Sequence, residues 1–290
     1  MNTRLDCIPC FIRQAADAVR LSAPSEEDQN RLMRSVLQCL ENIDLRLAPP
    51  AAAQMIHRRL RSLLPTGDPY RASKDRHNQL AAKLIPSIRR RIEASYDPLT
   101  MAVRYAITGN IIDLGAKSNV GFGDIYAELQ SAPIQPIFGD LEAFKKSVAR
   151  AKQILYLADN AGEIFFDRLL IEQLGSAKIT LAVRGKPVIN DATREDALAS
   201  GMDEIALVID NGSDAPGTIL EDCSAEFRAH FDKADMIIAK GQGNYESLAN
   251  EDRPIFFLFR TKCSVISRRS GYSIGTYVAF RGGASPRADC

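Results

Sequence analysis

Apolar positions recur at helical spacing through the first half of the chain and gather into short unbroken runs through the second. The stretch 11–21 repeats apolar residues every three or four positions. The stretch 26–43 carries Leu32, Val36, Leu37, Leu40 and Ile43 at the i, i+4, i+7 steps of an amphipathic helix. Ser25 ahead of Glu26, Glu27 and Asp28 supplies an N-cap, with acidic residues where the helix dipole is positive. Further helices are expected over 49–64, over 73–94 with a break or kink near Pro86, and over 101–113. Pro65-Thr66-Gly67-Asp68-Pro69 reads as a turn.

From about residue 150 the pattern alternates between strand and helix. Apolar runs at 153–158, 178–183, 204–209, 236–239 and 255–259 are separated by helical stretches, among them 163–174 and 191–200, the latter with Asp191 placed as its cap. Runs this short and this apolar predict parallel strands buried on both faces. The expected fold is therefore α/β, a three-layer α/β/α sandwich on a mostly parallel sheet, preceded by a helical N-terminal domain. The boundary is placed at 110, with a helical domain over 1–110 and an α/β core over 111–290.

Polar residues gather where these strands end. The first run leads into Asp159-Asn160-Ala161-Gly162-Glu163 and the second into Arg184-Gly185-Lys186-Pro187-Val188-Ile189-Asn190-Asp191. The third leads into Asp210-Asn211-Gly212 and the fourth into Lys240-Gly241-Gln242-Gly243-Asn244. Open parallel sheets bind ligands beyond the carboxyl ends of their strands. Oxygen donors from Asp and Asn suit Mg²⁺ or Mn²⁺, whereas His57, His77 and His230 all lie away from these ends. A lysine followed by glycine amides suits a phosphate group. Taken singly, each Asp or Asn is equally a turn former or a helix cap. Four such rims in one sheet favour metal-assisted chemistry on a phosphate. The chain has no Walker A loop, no Gly-x-Ser-x-Gly elbow and no complete dinucleotide fingerprint.

Composition narrows the classes. The 290 residues hold 37 Lys and Arg against 36 Asp and Glu, with 46% hydrophobic and 25% charged, as in an ordinary globular protein. No apolar run is long enough to span a membrane. The first residues lack the apolar core of a secretory signal, so a reduced, cytoplasmic chain is expected. Among six cysteines, Cys7 and Cys10 stand as a Cys-x-x-Cys pair; structural, redox and metal-assisted roles are all open, Cys263 being the one nearby addition to a thiol set. Cys39, Cys223 and Cys290 read as incidental. Over 58–91, ten basic residues face only Asp68 and Asp75, a local excess of eight positive charges. That stretch supports an alternative, a nucleic-acid-binding protein, against which the balanced total charge and the single aromatic Tyr70 argue. A non-catalytic phosphate-ligand binder is a further alternative.

Several motifs occur in order along the chain: Cys7-x-x-Cys10 with Phe11 and Arg13-Gln14, Asp68-Pro69-Tyr70, Gly109-Asn110-Ile111-Ile112-Asp113, Asp159-Asn160-Ala161-Gly162-Glu163-Ile164 with Asp167, and Lys240-Gly241-Gln242-Gly243-Asn244-Tyr245-Glu246. Together they resemble the damage-control phosphatases, the metal-dependent group known as domain of unknown function 89, in its prokaryotic branch with an N-terminal Cys-x-x-Cys. The resemblance implies a phosphatase that uses a divalent cation (Mn, Mg, Co or Ni) on small phosphorylated metabolites such as sugar phosphates and nucleotides. It implies a metal held by Asp159, Asn160 and Asp191, and a phosphate contact from Lys240 and the amide of Gly241. It also implies that Asn110, Asp113 and Glu163 line the same pocket, with Asp167 matching by motif. On this reading water attacks phosphorus, and an aspartyl-phosphate on Asp159 is the alternative.

Overall fold

The apolar runs at 153–158, 178–183, 236–239 and 255–259 form strands because their alternate residues find cover on both sides, whereas the run at 204–209 is extended only from Leu207, which is exposed at the sheet edge. The computed structural model describes residues 1–64, 68–110, 122–175 and 177–283. Asp113, the turn residues 65–67 and Cys290 lie outside the described residues. Among those described, one sheet comprises β1 (Ile137–Gly139), β2 (Gln153–Leu157), β3 (Lys178–Val183), β4 (Leu207–Asp210), β5 (Met236–Lys240), β6 (Ile255–Arg260) and β7 (Tyr277–Arg281). Their order is β1-β7-β6-β5-β2-β3-β4. The block β6-β5-β2-β3-β4 is parallel, while β7 runs antiparallel to β6 and β1 parallel to β7. Chain order reverses between β2 and β5, which makes the carboxyl ends of these two strands the switch point of the sheet.

Period-two alternation divides the strand residues between two cores. Ile154, Tyr156, Ile238 and Leu258 enter one, with Ile88, Tyr105 and Phe166 from helices. Leu155, Leu157, Ile237, Phe257 and Phe259 enter the other, with Phe227, Phe231 and Tyr245. Each such side chain contributes roughly 1.5–3 kcal/mol of burial. The first half supplies α1 (Ile8–Ser22), α2 (Glu26–Glu41), α3 (Pro49–Arg61), α4 (Arg71–Glu93) and α5 (Pro98–Thr108). Helices α1–α3 close a third cluster around Phe11, Leu32 and Ile56, which also takes in Val188 and Ile189 from the segment after β3. Helices α4 and α5 belong instead to the first sheet core.

Two local expectations change. Pro86 neither breaks nor ends its helix: α4 continues through it, with the ring on the exposed face beside exposed Ala82, whose carbonyl loses its i+4 donor. Asp191 does not cap a helix. That helix is Arg194–Ala199, closed by a capping box in which the Thr193 side chain and Asp196 bond each other's backbone N–H. Replacing Pro86 with Ala, which restores the missing donor, is expected to raise stability by about 1–3 kcal/mol in urea unfolding. A loss of stability would show that the ring contributes packing.

Candidate metal and phosphate site

The rim segments after β2 and β3 are joined by backbone. Asn160 and Asp191 form an isolated antiparallel bridge, Ala161 N donates to Asn190 O at 2.9 Å and Ala192 N to Asp159 O at 2.8 Å. Arg184 N, bonded to Ala192 O at 2.9 Å, closes the 184–192 loop on itself. Within that loop Ile189 has φ +46°, a left-handed backbone that a β-branched residue adopts at a cost of about 1–3 kcal/mol. Its side chain is buried in the cluster of α1–α3, which holds it there.

The bridged loops put carboxylates and amides in mutual contact. The Asp159 Oδ2 atom accepts from Asn110 Nδ2 at 3.1 Å and from Asn160 Nδ2 at 2.7 Å. The Glu163 Oε2 atom accepts from the same two amides, at 2.6 and 2.9 Å. Asn190 Nδ2 donates to Asn160 Oδ1 at 2.8 Å. From β5, the Lys240 ammonium donates to Glu163 Oε1 at 2.7 Å, Asp167 Oδ1 at 2.5 Å and Ala106 O at 2.9 Å. Tyr156 OH also donates to Asp167 Oδ1, at 2.8 Å. Gly241, next in the chain, has φ +76°, and a Cβ there would overlap the Asp159 carboxylate.

Electrostatics follow from this crowding. Four buried carboxylates, Asp159, Glu163, Asp167 and Asp191, face two cations, Lys240 and Arg184. Burial, with the charges of Glu163 and Asp191 added, pushes the Asp159 carboxyl up to about 8. Burial also raises Asp167, to about 6, with Lys240 opposing the shift. The Lys240 ammonium is disfavoured by burial, yet Asp167 and Glu163 more than compensate and raise it. Carboxylates in excess of cations, with Asp159 placed to ionise once a cation is beside it, fit Mg²⁺ or Mn²⁺ amid oxygen donors. Among the described residues no three His, Cys, Asp or Glu side chains are grouped to hold a metal; a metal here would need the Asn160 amide beside Asp159 and Asp191.

Of the residues read from the sequence, Asn110, Asp159, Asn160, Glu163, Asp191, Lys240 and Gly241 converge here, and Asp113 lies outside the described residues. Sequence reasoning misses Arg184, whose Nε donates to Asp191 Oδ2 at 2.7 Å. It also misses Asn78, on α4, which accepts from Gly162 N at 2.7 Å and donates to Asp196 Oδ1 at 2.8 Å. Asp196 in turn pairs with Lys74 at 2.7 Å, both side chains fully buried. Arg184 has a signal, its place at a strand end; Asn78 has none.

The remaining sequence features fall elsewhere. Cys7 is half-buried at the start of α1 and Cys10 is exposed. Burial pushes the Cys7 thiol up, and the nearby charges of Glu246, Cys263 and Cys10 add to the effect. Half of the basic stretch is answered by acids: Arg58 and Arg61 by Asp214, Arg58 also by Asp222, Arg71 by Asp75, Lys74 by Asp196 and Arg89 by Glu172. No helix among the described residues is long and apolar enough to cross a membrane.

Comparison with known proteins fits this arrangement. The model of the damage-control phosphatase ARMT1-like domain matches residues 3–278. A damage-control phosphatase of Archaeoglobus fulgidus is 34% identical over 280 residues, covering 94% of this chain and 96% of that one. An uncharacterised protein of Methanocaldococcus jannaschii is 37% identical, covering 95% of this chain and 94% of its own length. The crystal structure of a DUF89 family protein from Pyrococcus horikoshii superimposes with a TM-score of 0.89 at 32% identity, over 97% of this chain and 99% of that one. With a family match and relatives that both span nearly its whole length, the chain belongs to the ARMT1-like damage-control phosphatase family.

Proposed function

We propose that this protein is a divalent-metal-dependent phosphatase that hydrolyses small phosphorylated metabolites, sugar phosphates or nucleotides among them. The observation that carries the reading is the backbone bridge between Asn160 and Asp191, which sets Asp159, Asn160 and Asp191 together at the switch point of the sheet with an excess of negative charge around them. Family membership supports the phosphatase class. When bound, a divalent cation supplies charge neutralisation of the transferring phosphoryl group and activation of water.

The chain's own residues set the geometry for that chemistry. Asn110 and Asn160 fix the Asp159 carboxylate through Oδ2, and neither amide uses Oδ1. Glu163 fixes the same two amides from behind, so the donor set is oriented before any ligand arrives. Lys240 holds Glu163 in place within a buried interior, and Asp167 accepts another N–H of the same ammonium. Water attack is the preferred route, because Asp159 is committed to two amide donors and to cation binding rather than to phosphorus. With half of its cations paired to acids, the basic stretch gives nucleic-acid binding weaker support than the rim gives the phosphatase reading.

Purified protein assayed across sugar phosphates, nucleotides and an aryl phosphate with Mn²⁺, Mg²⁺, Co²⁺ or Ni²⁺ is expected to turn over at least one substrate. Asp159→Ala should lower that turnover by at least about 100-fold. Full metal-dependent activity in the substituted protein would remove Asp159 from the site, and metal-dependent turnover is what a non-catalytic ligand binder would lack.

The Asp159 carboxyl titrates near 8 when folded and near 3.8 in the unfolded chain, so the folded state binds the extra proton between these values. Stability linked to that proton is complete below about 4 and is lost as pH rises through about 8. Chelated protein should therefore melt at a lower temperature at pH 8.5 than at pH 6. Added Mn²⁺ should raise the melting temperature more at pH 8.5, where the carboxylate is charged. An equal or smaller effect of Mn²⁺ at the higher pH would contradict this account.

A further inference from the structure

The resemblance read from the sequence gives the phosphate contact to Lys240, yet the hydrogen bonds of that residue are already committed. An ammonium carries three N–H donors. Those of Lys240 go to Ala106 O, Glu163 Oε1 and Asp167 Oδ1, and the side chain is fully buried. A phosphate oxygen could reach it only by displacing an acceptor from a buried, fully satisfied ion pair, which is costly.

Arg184 stands differently. Its side chain is 2% exposed. The Nε atom is held by Asp191 Oδ2 at 2.7 Å, and Nη1 has only the long contacts to Asn244 Oδ1 at 3.4 Å and Thr218 Oγ1 at 3.5 Å. Its Nη2 is buried and, among the described residues, makes no hydrogen bond; the Asp159 carboxylate approaches it through Oδ1 at 3.9 Å. A buried, charged donor left unsatisfied loses its hydration with nothing in return, so this atom is in want of an acceptor. It lies between the two carboxylates of the rim, and a planar guanidinium with one edge fixed presents its other N–H groups in the fork that matches phosphate oxygens.

We propose that Arg184 receives a non-bridging oxygen of the substrate's phosphate on Nη2 while its Nε fixes Asp191, and that Lys240 is a positioning residue that does not touch the phosphate. The proposal rests on the phosphatase reading above. It assigns the tetrahedral anion to a residue of β3's rim rather than to the lysine of β5. The site then has two buried cations with separate duties, one satisfied before ligand binds and one after.

The test is calorimetric titration of Mn²⁺-loaded protein with inorganic phosphate, with Mn²⁺ binding followed by electron paramagnetic resonance. It compares wild type with Arg184→Gln, which keeps an N–H for Asp191, and Arg184→Lys, which keeps the charge. Phosphate affinity should fall at least about tenfold in both variants. Mn²⁺ affinity should stay within about threefold of wild type in at least one of them, the Lys variant serving if the Gln variant does not fold. Phosphate affinity unchanged in a folded variant would overturn the proposal. So would losses of Mn²⁺ and phosphate affinity in equal proportion in both, because Arg184 would then only hold Asp191. Aryl phosphate turnover by wild type in the same buffer separates the two readings. A wild type that binds no Mn²⁺ and turns nothing over removes the phosphatase reading itself, whereas an active wild type with phosphate-competent variants removes only the role of Arg184.

Discussion

An ammonium group shut away from water is the constraint on which the site depends. Lys240 has no exposure, and burying its charge is tolerable only because Glu163, Asp167 and a backbone carbonyl take all of its protons. Those three acceptors come from two helices, so one side chain on β5 ties the α5 helix and the helix after β2 to the sheet. Glu163, pinned on one oxygen, is free to hold Asn110 and Asn160 with the other. The order of the acidic rim descends from that single buried pair. The same interior that makes the pair costly also makes its geometry sharp.

Legibility in the sequence followed burial. Strands β2, β3, β5 and β6 could be read as apolar runs because both faces of each are covered. Strand β1 is three residues long and mostly exposed, so it carries no hydrophobic signature. Strand β7 reverses direction against β6, and nothing local encodes a partner that distant. The capping box at Thr193 and Asp196 was overlooked because Asp191, two residues earlier, is an equally good cap by composition. Only the bridge to Asn160 withdraws it from that role.

The site shows the same division. Asp159, Asn160 and Lys240 stand at strand ends, where topology alone gives a reason to look. Their partners do not. Asn78 reaches Gly162 across 84 positions and Lys240 reaches Asp167 across 73, contacts that exist only once α4 and the sheet have packed. The basic excess over 58–91 misleads for a related reason. Charge read along the chain ignores the acids that folding brings from residues 172, 196, 214 and 222 to meet it.

The left-handed Ile189 ties the acidic rim to the N-terminal helices, which contribute no side chain to the contacts described around Asp159 and Glu163. Its conformation persists because α1–α3 grip the side chain, and Asn190 and Asp191 follow directly in the chain. The N-terminal bundle thus clamps a strained residue of the loop that carries Asp191. Heat or a cavity in that bundle would let the loop relax and slip Asp191 out of register while the sheet was still intact. The working range of the enzyme would then be set by the docking of its helical segment, and activity would fade before the fold does.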